Sequence, residues 1–194
     1  MSNSYADAGK LKYAVLLGLF ILVTGLWATQ PFLSQDASKE FQTGIQNYVA
    51  LHKKASGAVP AAPKNVTDPS ITAKHEQQLA QAIRDLRPKA RPGDIFTPAA
   101  QKMVAAIVKA KLDANARNVI LGDGNPRTGE TPTPVSIAVN ASYPSSAPVS
   151  TMPPSLLMAL PALPPELEFR FVGHTLILRD VKANLIVDFI PNAI

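Results

Sequence analysis

The chain has 194 residues, 18 prolines, no cysteine and a formal net charge of +5. That length allows one ordinary domain with appendages, and a core large enough to need no staples. Without cysteine there are no disulfides, cysteine-ligated zinc sites, iron–sulfur clusters or thiol nucleophiles, and so small a charge on a chain only 17% charged does not argue for nucleic acid.

The first element is the apolar run Leu11 to Thr29, which has no charged residue between Tyr13 and Ala28. A helix needs roughly 20 mostly apolar residues to cross a bilayer, and this run just reaches that range. Lys10 and Lys12 precede its uncharged stretch, and the next basic residue is Lys39. The positive-inside rule therefore keeps residues 1–10 in the cytoplasm and exports the chain beyond Trp27. Tyr13 and Trp27 bracket the segment as interfacial aromatics, and Leu16, Leu19, Phe20, Ile21, Leu22 and Leu26 fill it. The expectation is an uncleaved signal-anchor over 11–29: a single-pass membrane protein with its C-terminal domain outside the cytoplasm. The competing reading is a cleaved signal peptide, which Leu26 disfavours because a small residue is wanted there. Both readings put the bulk of the chain outside the cytoplasm.

Residues 30–117 read as a helical region of about three amphipathic helices. Phe41, Ile45, Tyr48, Val49 and His52 recur at helical spacing within Ser34 to Ser56. Three prolines then make Ala58 to Pro69 a linker. A second helix is expected from Ser70 to Arg87 with the stripe Leu79, Ala82, Ile83 and Leu86, stopped by Pro88 and Pro92. Thr97 as N-cap and Pro98 at the first helical position start a third helix, expected to reach Ala116 with Met103, Ala106, Ile107 and Ala110 inward.

Residues 118–194 read as a loop-rich β region that forms one domain with the helices. Gly122 to Gly129 is a turn-rich loop, and Val135, Ile137 and Val139 alternate as in a strand. Tyr143 to Pro165 is proline-rich, with Leu156, Leu157, Met158 and Leu160 between two proline doublets. The last 30 residues alternate most clearly. Leu167, Phe169 and Phe171 share a face, Gly173-His174 makes a tight turn, Leu176 and Leu178 come next, and Leu185, Val187 and Phe189 close an antiparallel meander. The fold class is α+β, with the helices expected on one face of the small sheet.

No catalytic or cofactor motif stands out. His52, His75 and His174 lack metal-ligand spacing, no Gly-x-Ser-x-Gly elbow is present, and the 122–129 loop lacks the Gly-Lys-Ser/Thr of a phosphate loop. Asp123, Asn125 and Glu130 do not match the calcium-loop spacing. Glu166 and Glu168 read as a solvated strand face. Asp188 interrupts an apolar run and calls for a partner if buried, with Arg170 or Arg179 expected. Between Lys53 and Arg117 there are 12 basic and 5 acidic residues, with Arg84, Arg87, Lys89 and Arg91 clustered, a face suited to headgroups or an acidic partner.

The runs Gly93-Asp94-Ile95-Phe96-Thr97-Pro98, Leu163 to Gly173 and Leu178 to Asp188 resemble an uncharacterised group of exported bacterial proteins. That resemblance implies bacterial origin and export, and no activity. The leading expectation is a non-catalytic accessory or scaffold subunit of a larger membrane complex, of which a respiratory or photosynthetic assembly is one natural host. It needs no cofactor and no metal, meets the lipid bilayer through its N-terminal helix, and offers Leu156, Leu157, Met158, Leu160, Arg84, Arg87 and Arg91 to a protein partner. The rivals are a periplasmic module binding a small ligand or envelope polymer near Asp123 and Asn125, and an envelope hydrolase using His174 or Asp188.

Overall fold

The computed structural model describes residues 30–61, 68–123, 135–144, 147, 150 and 152–194. The chain divides into two compact units, Met1–Asp36 and Ala37–Ile194. Only the opening of helix α1 (Gln30–Ala58) is described in the first. The expected anchor residues Tyr13, Leu16, Leu19, Phe20, Ile21, Leu22, Leu26 and Trp27 lie outside the described residues. Among the described ones, no helix is long and apolar enough to cross a membrane.

The second unit is α+β. After α1 come α2 (Pro69–Leu86), α3 (Pro98–Lys111), α4 (Ala114–Asp123) and the single turn α5 (Pro154–Leu157). The meander β1 (Leu167–Val172), β2 (Thr175–Asp180) and β3 (Leu185–Ile190) completes the unit as one antiparallel sheet in that order. Five helices among the described residues replace the three expected.

Local chemistry explains the boundaries. In α1, Ala37, Phe41, Ile45, Tyr48, His52 and Ala55 form one buried stripe at spacings of three and four. Asp68 caps α2 by accepting from the Ser70 amide at 2.8 Å, with Pro69 in the first turn. Thr97 caps α3 by accepting from the Ala100 amide, and Pro98 comes next as expected. The expected end at Ala116 is corrected. Leu112 leaves the helix in an extended conformation, and Asp113 caps a new helix through the Ala116 amide at 2.7 Å. Helical structure consequently extends past 117 to Asp123.

The inward face of α3 also differs from expectation. Ala100, Val104 and Val108 are buried, Met103 and Ile107 are half-buried, and Ala106 and Ala110 are exposed. Alanine, valine and isoleucine cover most sides of this helix, so periodicity alone does not select a face. In α2, Leu79, Ala80 and Ile83 are buried while Leu86 is 36% exposed, because the helix ends there and turns its last apolar residue outward.

The core lies between the helices and one face of the sheet. Phe41 of α1, Phe96 and Phe169 form a mutual aromatic cluster, with ring centroids 5.6, 6.3 and 6.4 Å apart. Leu167, Phe171, Leu176, Leu178, Leu185 and Val187 complete that face, and Ile120 and Leu156 belong to the same buried cluster. The other face is covered too. Ile177 and Ile186 sit under Tyr143 and Ala147, with Val135, Ile137 and Phe189 beside them. Val135 to Val139 is not a strand. Asn140 has φ 66°, a left-handed turn that stops an extended run. Beyond it Ser142 makes an isolated bridge to Leu185, and Asn140, Ala141 and Tyr143 exchange backbone hydrogen bonds with Ile186 and Asn184. These bonds seal the free edge of β3.

Candidate functional site

The polar chemistry of this domain is buried, and it is aimed by irregularities in the sheet. Leu178 pairs with Asp188 and Arg179 with Ile186, so Val187 is an extra residue in β3. The bulge shifts the alternation, and Asp188 turns with Ile190 to the helix-covered face while Ile186 and Phe189 face the other way. There the fully buried Asp188 carboxylate meets the loop between α2 and α3. Its Oδ1 accepts from the Gly93 amide at 3.0 Å and from Phe189 at 2.9 Å. Its Oδ2 accepts from Ile95 at 2.9 Å and Phe96 at 2.8 Å. Gly93 has φ 90°, which turns this loop onto the carboxylate.

The expected partner of Asp188 is therefore corrected. Arg170 and Arg179 project to the opposite face and share Glu168, at 2.8 and 2.6 Å. Glu168 is thus no freely solvated carboxylate. Burial alone would raise it, but the bonds from Arg170 and Arg179 outweigh that and hold it below its ordinary value. Arg179 also donates to Asn184 and lies over the Tyr143 ring, 5.0 Å from its centre. Glu166 keeps only a looser contact with Lys182, at 3.7 Å.

A second buried carboxylate, Asp180, ends β2 on the face of Leu176 and Leu178. Its Oδ1 accepts from the Lys182 and Ala183 amides and shapes the turn into β3. Its Oδ2 accepts from the Tyr48 hydroxyl at 2.8 Å and lies 2.6 Å from Nδ1 of His52. Burial, then the field of Asp180, pushes the Tyr48 hydroxyl far above its ordinary value. This cluster fastens α1 to the turn. Its one signal in the sequence is an aspartate in phase with Leu176 and Leu178, a few residues before a strand.

Arg84 and Arg87, expected to meet a partner, are engaged internally. Arg84 donates to the Asn140 carbonyl at 2.9 Å and the Ser142 hydroxyl at 2.8 Å. Arg87 donates to the carbonyl of the bulged Val187 and lies 5.3 Å from the centre of the Tyr48 ring. Burial lowers the Arg87 guanidinium from its ordinary value, against the fields of Tyr48, Asp94 and Asp188. Arg87 also borders a small cleft of about 180 Å³ with Gly44, Asn47, Leu51, Asp94 and Ile95. Arg91 is exposed, and its amide donates to Asp94.

The apolar strip divides in two. Leu156 and Leu160 are core, whereas Leu157 is 52% and Met158 87% exposed. Leu157 at the end of the single turn α5 lines a cleft of about 390 Å³, and Met158 follows it outward. Met152, Leu157, Pro161, Ala162 and Leu163 line one side of it, and Leu167, Glu168, Phe169 and Arg170 of β1 the other.

His75 is half-buried on α2, and Nδ1 of the exposed His174 lies 2.9 Å from the Ile194 carbonyl. No described contact joins His174 to Asp188. Asn125 and Glu130 fall outside the described residues. No group of three or more potential metal ligands occurs among the described residues. Compared with protein-family models, with curated proteins and with solved structures, the chain finds no match in any of the three.

Proposed function

We propose that this chain is a non-catalytic accessory or scaffold subunit of a bacterial membrane complex. It is held in the inner membrane by residues 11–29, with its α+β domain in the periplasm. The observation that carries this reading is a pair of outward-facing apolar side chains, Leu157 and Met158, the first of them lining a cleft with apolar and charged walls, on a chain with an apolar run near its start that two lysines precede. The internal chemistry agrees. Asp188 accepts from three amides of the loop between α2 and α3, and Asp180 joins Tyr48 and His52 of α1 to the turn into β3. Buried ionic groups satisfied in this way define one arrangement of the chain and hold a docking surface rigid.

Alkaline extraction of membranes together with protease treatment of spheroplasts tests the location. The chain should stay in the pellet at full length, and a C-terminal tag should be digested in intact spheroplasts. Release to the soluble fraction, or a tag protected until lysis, would contradict the reading.

A further inference from the structure

The two edges of the sheet are treated differently. The β3 edge is sealed by the Asn140 to Tyr143 backbone. The β1 edge is not. The β1–β2 hairpin has the two-residue loop Gly173-His174, so its closing pair Val172 and Thr175 exchanges hydrogen bonds. Alternation then makes Arg170 with Ile177, and Glu168 with Arg179, the other bonded pairs. The amides and carbonyls of Leu167, Phe169 and Phe171 consequently point away from β2. Two of these groups are used. The Leu167 amide donates to the Pro164 carbonyl, and the Phe171 carbonyl accepts from the Ser150 hydroxyl. Between them, the Phe169 amide and carbonyl have no partner outside the hairpin among the described residues, and Phe169 lines the 390 Å³ cleft.

We infer that this cleft accepts an extended segment of a partner polypeptide, which adds to β1 as a fourth strand. The inference rests on the accessory-subunit reading, since it needs a partner chain. The unpaired groups select the occupant. One donor and one acceptor on a single strand residue match a strand backbone, whereas an acyl chain would leave both unpaired. The walls set the side-chain preferences. The residue opposite Phe169 projects toward Met152, Leu157 and Leu163 and is apolar. Its two neighbours project toward Glu168 and Arg170, where residues of both charge signs are accommodated. Pro161 of the far wall lacks an amide hydrogen and has no donor to offer β1.

The test places the photo-cross-linker p-benzoylphenylalanine at exposed Ala162 in the full chain, in its own membranes, with exposed Ala106 on α3 as the control site. Amide exchange at Phe169 is then compared between the chain alone and the recovered complex. Cross-links are expected from 162, and not from 106, to one short stretch of a partner polypeptide. Phe169 exchange should slow at least tenfold in the complex. Ala162→Trp, which fills the cleft, and Leu157→Asp, which alters its exposed lip, should each reduce recovery of the partner at least tenfold with unchanged far-ultraviolet circular dichroism. A partner that co-purifies without protecting Phe169, and that tolerates both variants, would overturn the strand-addition site and leave the accessory-subunit reading standing. Cross-links to lipid or small-molecule mass alone would also overturn it. No partner at all would contradict both.

Discussion

Replacing Asp188 with asparagine isolates the contact that holds the loop between α2 and α3. The substitution keeps the size and removes one acceptor. Asp188 takes two amides on each oxygen, from Gly93 and Phe189 on one and from Ile95 and Phe96 on the other. Asparagine can offer its carbonyl to one pair only, and its amide group then faces the other pair donor to donor. Hydrogen bonds to a charged group contribute about 1.5–3 kcal/mol each. Two lost bonds therefore cost roughly 3–6 kcal/mol, a large share of the ~5–15 kcal/mol typical of a whole domain. For a domain of this size each kcal/mol lowers the melting temperature by about 2–4 °C, so a loss near 4 kcal/mol is a drop of roughly 8–16 °C. Thermal melts of the detergent-solubilised full chain, followed by circular dichroism at 222 nm, measure it. A drop below about 2 °C would show that the loop is held by its own packing and that the bulge-aimed carboxylate is incidental.

Three further outcomes are expected from the same contacts. Glu168 is held below its ordinary value in the folded state, so its contribution is present above about pH 4.3 and is lost as the pH falls through the lower folded value. Glu168→Gln should remove that part of the acid dependence, and an unchanged stability–pH profile would refute it. Tyr48→Phe and His52→Ala share Asp180 as partner, so a double-mutant cycle on chemical denaturation should give a coupling within about 0.5–3 kcal/mol; simple additivity would mean they act independently. Val104→Asp should prevent folding while Ala106→Asp stays within about 0.5 kcal/mol of the parent, and equal effects would mean that α3 faces the core differently.

Much of the fold is legible in the sequence because it is local. The α1 stripe, the Thr97-Pro98 start and the alternation of Leu167 to Phe171 are written in neighbouring residues, and the structure places them as the pattern says. The illegible part depends on distant neighbours. Asp188 can be read as buried, but three of its four donors lie 92–95 positions away, and the bulge at Val187 turns it toward them. His52 can be placed on the α1 stripe, yet Asp180 is 128 positions distant. The break at Leu112 escapes pattern reading because Asp113 resembles an ordinary helix-surface residue until its carboxylate is seen capping α4. The apolar strip is only half available for docking, since a single helical turn buries Leu156 and Leu160 and leaves Leu157 and Met158 outside. Arg84 and Arg87 read as a surface cluster, and their pull toward the carbonyls of Asn140 and Val187 has no local signature.

Membership of a membrane assembly is the central claim. The direct measurement is a mild-detergent pull-down from membranes through a C-terminal tag, with mass spectrometry of the intact chain and of its companions. The predicted result is a full-length chain, residues 1–29 included, with stoichiometric membrane-protein companions that are lost when Leu157 is changed to aspartate. A shortened chain recovered alone from the soluble fraction would contradict it.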